Sequence, residues 1–172
     1  MKLFSFFSRN EPDFEDTRFE KFEDSLQNFL FFYPGHWKFE ETTAIIEGEY
    51  TINFHSRKSD THLSIDVKTR LPAGFDEKKF IKSAKDEIEN PSAGVISKAC
   101  KGKFGEHRCM ATDYIYSKGN MQFRGEKTIF FTGDRVFSLF FTCPVSQYDR
   151  LKKTFAYVKD SFTIKPKKMM LI

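Results

Sequence analysis

The sequence predicts an α+β domain, an antiparallel sheet of about six to seven strands with helices on both faces. Three observations predict it. An alternating hairpin lies between Ile46 and Leu71, four more strand-like runs separated by turn signals follow from Gly94 to Cys143, and the stretches 76–89 and 146–162 repeat apolar residues at helical spacing. A chain of 172 residues, 40% hydrophobic and 30% charged, suits one core. Its 22 phenylalanines mean that aromatic rings build much of that core.

Taken in chain order, Phe19, Phe22 and Leu26 suggest a helix whose start Asp13 caps, and Phe29 to Tyr33 reads as a short first strand. With Lys58 and Ser59 at the tip of the next hairpin, Phe54 faces Leu63, Ile52 faces Ile65 and Tyr50 faces Val67. On the polar side the same register opposes Glu49 to Lys68 and Glu47 to Arg70, pairs worth about 0.2–1 kcal/mol each. A slip of one residue turns both apolar sets outward, so the pattern fixes the register. Phe80, Ile81, Ala84 and Ile88 then mark an amphipathic helix, capped by Asp76 and stopped at Asn90-Pro91. Turn signals at Phe104-Gly105, Lys118-Gly119-Asn120 and Gly133-Asp134 divide the following meander. Its last strand, Val136 to Cys143, is apolar on both alternating sets apart from Ser138 and Thr142, which argues for helices on each side. Pro144 ends it, and Ser146 with Asp149 forms a capping box leading into Tyr148, Leu151, Phe155, Val158 and Phe162.

Charge separates the two ends. Seven acids stand between Glu11 and Asp24 against Arg18 and Lys21, whereas seven bases stand between Arg150 and Ile172 against Asp160 alone. Opposed charge can dock the ends together or mark separate partner surfaces, and solvated faces are the plain alternative. The division expected is an acidic extension over 1–27, a domain over 28–164 and a basic, apolar tail over 165–172. A net charge of +4 is too small to indicate a nucleic-acid binder. Cys100, Cys109 and Cys143 form an odd, sparse set that fits reduced thiols, and the short apolar run near the start falls below a secretory core, so a cytoplasmic location is expected. No apolar stretch approaches the roughly 20 residues of a membrane span. The apolar residues at 3–7 and 169–172 sit beside bases and invite a weak membrane-surface contact.

The order of strand, hairpin, helix, meander and long helix opens with Tyr33-Pro34-Gly35-His36-Trp37 and closes with Asp160-Ser161-Phe162. Over residues 28 to 163 this resembles the PsbP-like group, which includes a photosystem II extrinsic protein, a yeast Ran-binding nucleotide-release factor and bacterial proteins of unassigned role. The resemblance implies an α/β/α sandwich and a binding or assembly role, without implying a reaction.

Four candidate sites emerge. The hairpin register sets His55 opposite His62 with Asp60 in the turn, a set able to hold a divalent transition metal. A two-residue turn at Phe104-Gly105 would oppose Cys100 to Cys109 beside His107 as a thiol switch, but it also opposes Lys101 to Arg108, so a longer turn that parts the thiols stands equally. Lys98, Lys101, Lys103 and Arg108 make a basic patch for an acidic partner or phosphate, and Trp37 is an interaction anchor or a core residue. Phosphate-loop, zinc-protease and nucleophile-elbow motifs are absent, so no cofactor is implied. The function expected is a non-enzymatic accessory protein with an unidentified protein partner; a chaperone for apolar segments of secreted effectors and a metal or small-molecule sensor are the alternatives.

Overall fold

The computed structural model describes residues 12–24, 28–46, 48–56, 58–69, 71–88, 100–133 and 135–165. Two antiparallel sheets and two helices make up most of them. In chain order the strands are β1 (Phe19–Asp24), β2 (Phe29–Pro34), β3 (Trp37–Ile46), β4 (Glu49–Ser56) and β5 (His62–Lys68), then helix α1 (Glu77–Ile88). Four more strands follow as β6 (Cys100–Phe104), β7 (His107–Lys118), β8 (Met121–Thr132) and β9 (Arg135–Pro144), then helix α2 (Val145–Ser161) and the short β10 (Thr163–Ile164). The large sheet runs β3-β4-β5-β9-β8-β7-β6 and the small one β1-β2-β10.

The first hairpin takes the register its alternation demands. Phe54 pairs with Leu63, Ile52 with Ile65, Tyr50 with Val67 and Glu49 with Lys68, and the last pair forms a salt bridge. Glu47 and Arg70 lie outside the described residues. Asp76 caps α1 as expected, its Oδ1 accepting from the amides of Lys78 and Lys79 at 2.9 and 3.1 Å. The stop at Asn90-Pro91 falls outside the described residues.

Four expectations are corrected. The stretch holding Phe19 and Phe22 is strand β1, not a helix, and Asp13 makes no side-chain cap there. Pairing decides this: Phe19 to Asp24 bond along β2 from Pro34 to Phe29, and Phe22 reaches the rings of Phe31 and Phe54. This ladder ties part of the acidic extension to the domain. Secondly, the seven strands of the large sheet include Trp37–Ile46, whereas Phe29–Pro34 belongs to the small sheet. Thirdly, α2 begins at Val145 with Pro144 as its cap, so Ser146 lies inside the helix and Asp149 instead accepts from Lys152 at 2.8 Å. Lastly, the β6–β7 turn is Gly105-Glu106, which moves Cys109 opposite Gly102 and Cys100 opposite Ala111.

One core cluster joins Ile52, Phe54, Leu63, Ile65, Phe137, Leu139 and Phe141 of the large sheet to Phe29 and Phe31 of the small sheet and to Leu151, Phe155 and Val158 of α2. Rings dominate its contacts. Phe137 stacks on Phe130 at 5.1 Å and meets Phe29 edge-on at 5.5 Å, while Phe141 stacks on Phe155 at 4.3 Å. The alternate residues Val136, Ile129 and Met110 form a second cluster, against which Phe80 and Ile81 of α1 pack. The closing Ser161-Phe162 has two tasks: Ser161 Oγ accepts from the Phe32 amide at 2.9 Å, and Phe162 stacks on Phe29 at 5.2 Å.

The two ends do dock. Phe19 and Phe14 pack on Tyr157 of α2 at 4.4 and 5.8 Å, Lys153 pairs with Glu15 at 3.3 Å, and Lys165 pairs with Glu23. Hydrogen bonds from Lys165 and then Lys21 hold the Glu23 carboxyl down to about 2.

Truncating Phe137 or Phe54 to alanine will lower unfolding stability by about 3–5 kcal/mol in urea titrations, because both side chains are wholly buried. The Glu23 contribution has a defined sign. Its folded pKa lies below the ordinary 4.5, so the stabilisation is complete above that pH and is lost as pH falls through about 2. Carboxyl NMR titration will place the Glu23 midpoint near 2, and Glu23→Gln will flatten the acid limb of the stability profile.

Candidate functional site: the β6–β7 edge and the groove beside it

The second hairpin ends the large sheet. Gly105 opens its turn with a φ of +57°, a conformation that a side chain would strain. Behind the turn Phe104 faces His107, Lys103 faces Arg108 and Gly102 faces Cys109. Phe104 stacks on Phe130 at 4.4 Å and meets Phe162 at 5.6 Å, which fixes the hairpin on the core.

Between this hairpin and the end of α2 lies a groove of ≈ 340 Å³, walled by Phe104, Cys109, Lys159 and Phe162 and lined also by Thr128. A neighbouring hollow of ≈ 230 Å³ shares Phe104 and Phe162 and extends to His107 and Ile164. Thr128 is 2% exposed, and its hydroxyl has no hydrogen-bond partner among the described residues. Burial pushes the Cys109 thiol up, against the opposing charge of Lys159, so the thiol form prevails at neutral pH.

Next to the groove, one carboxylate fastens both ends of α2. Tyr148 donates to Glu126 Oε1 at 2.6 Å, and Lys159 donates to Oε2 at 2.7 Å. Arg124 lies 3.7 Å over the Tyr148 ring and donates to Asp113 at 3.0 Å. Burial, followed by the hydrogen bond to Glu126, pushes the Tyr148 hydroxyl well above the usual tyrosine value. For Arg124, the bond to Asp113 with the nearby acidic groups outweighs a larger single cost of desolvation, and its pKa rises.

The sequence candidates divide. His55 and His62 are ladder partners as expected, and Glu40 approaches His55 at 3.6 Å. Burial, and then the neighbouring His55, lower the His62 pKa. Asp60 stays exposed in the turn, and among the described residues no three His, Cys, Asp or Glu side chains gather to hold a metal. Trp37 is 4% exposed and stacks on Phe141 at 6.4 Å, so it sits in the core and presents no anchor. Lys103 and Arg108 are exposed; Lys98 lies outside the described residues, and the backbone of Lys101 faces Met110. The residues at 3–7 and 169–172 also lie outside them. Among those described, no helix is long and apolar enough to cross a membrane.

Sequence reading missed the groove and the Glu126 fastening. A signal existed: the period of β8 sets Arg124, Glu126 and Thr128 on the same face as buried Phe130. Polar groups on a core-facing row need partners, and a closing helix bearing Tyr148 and Lys159 supplies them.

No family model matches the chain, and no curated protein matches it in sequence. Solved structures do match. Cyanobacterial PsbP (CyanoP) from Synechocystis sp. PCC 6803 superposes with a TM-score of 0.65 over 87% of this chain and 94% of its own, at 14% identity. The chain has a PsbP-like fold. LpqN of Mycobacterium tuberculosis, involved in cell envelope biogenesis, shares this PsbP-like fold with a TM-score of 0.62 over 88% of this chain and 92% of its own, at 12% identity. PA94 of Pseudomonas aeruginosa, a protein of unknown function described as a putative regulator, gives 0.52 over 87% and 99%, at 9% identity. At such identities the likeness concerns the PsbP-like fold alone.

Glu126→Gln or Tyr148→Phe will lower stability by about 1–3 kcal/mol in urea, since each breaks a charge-assisted bond at a site largely removed from water. The Tyr148 contribution is complete below the ordinary tyrosine pKa of about 10 and declines as pH rises past it, because the folded state resists ionisation. Tyr148→Phe will therefore reduce the alkaline loss of stability followed by circular dichroism.

Proposed function

We infer that this chain is a non-catalytic accessory protein that acts by binding another macromolecule at the exposed hairpin end of its large sheet. The observation that carries this reading is the disposition of its ionisable groups. Asp113, Arg124, Glu126, Tyr148 and Lys159 bond to one another and fasten α2, whereas Lys103 and Arg108 stand exposed with no ion-pair partner among the described residues. A part-buried polar network of this kind holds structure, and unpaired surface cations attract an oppositely charged surface.

The fold fits such a role. We read it as an α/β/α sandwich, with α2 and the small sheet over one face of the large sheet and α1 over the other. The two core clusters support this arrangement. Sheet faces covered in this way leave edges and loops for recognition. The structural neighbours involved in cell envelope biogenesis or described as a putative regulator fit a binding role as well. The chaperone alternative calls for phenylalanines along an exposed groove; the groove here has Phe104 and Phe162 in its wall, both more than nine-tenths buried, and Phe29, Phe31, Phe54, Phe130, Phe137, Phe141 and Phe155 are fully buried. The sensor alternative lacks a third ligand beside His55 and His62 among the described residues. We place the protein's action in the cytoplasm on the strength of its odd, sparse set of three cysteines.

Affinity capture of the tagged chain from its native cells, followed by size-exclusion chromatography, will yield a complex of fixed stoichiometry. Arg108→Glu will weaken that complex by about tenfold, mostly through faster dissociation. A chain that elutes alone at every salt concentration would defeat the reading.

A further inference from the structure

We propose that the outer edge of β6 is the docking site for an extended acidic peptide segment of the partner, which joins the large sheet as one more strand. This rests on the binding role above and goes on to name the site, the mode and the chemistry of the ligand.

The argument begins with the backbone. β6 is the last strand of the large sheet, and among the described residues no strand pairs with its outer side. In a two-residue hairpin the pair flanking the turn, here Phe104 and His107, exchanges its hydrogen bonds, and the bonded pairs then recur at every second residue. Gly102 and Phe104 therefore aim their amides and carbonyls at β7. Lys101 and Lys103 aim theirs outward, a row of donors and acceptors ready for another strand.

Charge selects the strand. Lys103 stands directly opposite Arg108, both exposed and neither in an ion pair among the described residues. Like charges in a cross-strand pair are unfavourable, and an acidic side chain laid beside them relieves the repulsion. A second copy is a poor occupant, since β6 against β6 would gather four such cations around one seam. The opposite edge, β3, is less suited: its register breaks between Thr42 and Ile46, an irregularity that interrupts pairing. A nucleic-acid strand has no ladder to offer, because phosphodiesters donate nothing to the outward carbonyls of Lys101 and Lys103.

The alternation of a strand then sets the pattern of the ligand. Side chains of the added strand opposite Lys103 share its face and are acidic. Those between them share the face of Gly102 and Phe104, where Gly102 places no side chain between the edge and the groove walled by Phe104, Cys109 and Phe162. Small apolar residues fit there, against the Phe104 ring and the Cys109 side chain that wall the groove. The preferred segment thus alternates acid with small apolar residues.

The probe is a fluorescein-labelled peptide of about nine residues alternating glutamate and valine, titrated into the full chain by anisotropy. Binding is expected, about tenfold weaker for Arg108→Glu and unchanged for Lys58→Glu, which alters an exposed turn at the other hairpin. Lys103→Ala removes the charge alone, while Lys103→Pro also removes the outward amide without touching the ladder to β7, so the proline variant must bind more weakly than the alanine variant. Thermal melts will establish that each variant is folded. Should the proline variant unfold, amide exchange on the unaltered chain decides, with the Lys101 and Lys103 amides slowing when peptide is added. Equal binding by the two Lys103 variants, no slowing of those amides, or equal affinity for a lysine-valine peptide or oligothymidylate overturns the proposal. If the captured partner is weakened by Arg108→Glu but survives Lys103→Pro at full strength, strand addition at this edge is overturned while the binding role at the hairpin end stands.

Discussion

The ladder between β5 and β9 runs from His62 opposite Thr142 to Lys68 opposite Val136, and it joins two meanders that each form from neighbouring segments. β3, β4 and β5 are linked by short turns, as are β6 through β9, so most pairings are local. This ladder alone among those of the large sheet closes a long loop, at an entropic cost that grows slowly with length. What offsets it is burial: β9 is covered along nearly its whole length, and its alternate residues enter the two core clusters. Phe137 and Phe141 meet rings from β8, β2 and α2, so the small sheet and the closing helix both depend on where β9 lies.

Once β9 is placed, α2 follows with almost no linker, since Pro144 ends the strand and caps the helix. The helix lies back across the sheet, and Glu126 receives a hydrogen bond from each of its ends. A largely covered carboxylate with one partner removed would be costly, so the contact fixes the helix's position as well as its attachment. The N-terminal segment then rests on the outer side of α2 through Tyr157 and Lys153, and Lys165 beyond β10 adds its pair with Glu23. Each layer is set by the one beneath it.

How far this could be read in advance depended on which force decided each element. The first hairpin was legible because its apolar alternation, its Glu49–Lys68 pair and its turn all demand one register. Asp76 and α1 were legible because capping is local. β1 was not, because Phe19 and Phe22 suit a helical spacing as well as a strand, and only the ladder to β2 separates the two. β3 was hidden by its polar outer residues, although Trp37 and Phe39 carry the alternation. In the second hairpin the choice hung on which residue opens the turn, and Gly105 settles it by its positive φ. Of the basic patch, the opposition of Lys103 and Arg108 needed that register, and the groove needed the approach of α2, a contact between distant segments that no local pattern contains.

Trp37 has a further use that follows from its place. It is the chain's one tryptophan, it is buried on β3, and it stacks on Phe141 of β9. Its emission therefore registers whether β3 and β9 lie on the same core. β3 and β6 form opposite edges of the sheet, six strand spacings or roughly 29 Å apart. Light from this indole is thus a built-in gauge of intact architecture that stays blind to events at the far rim.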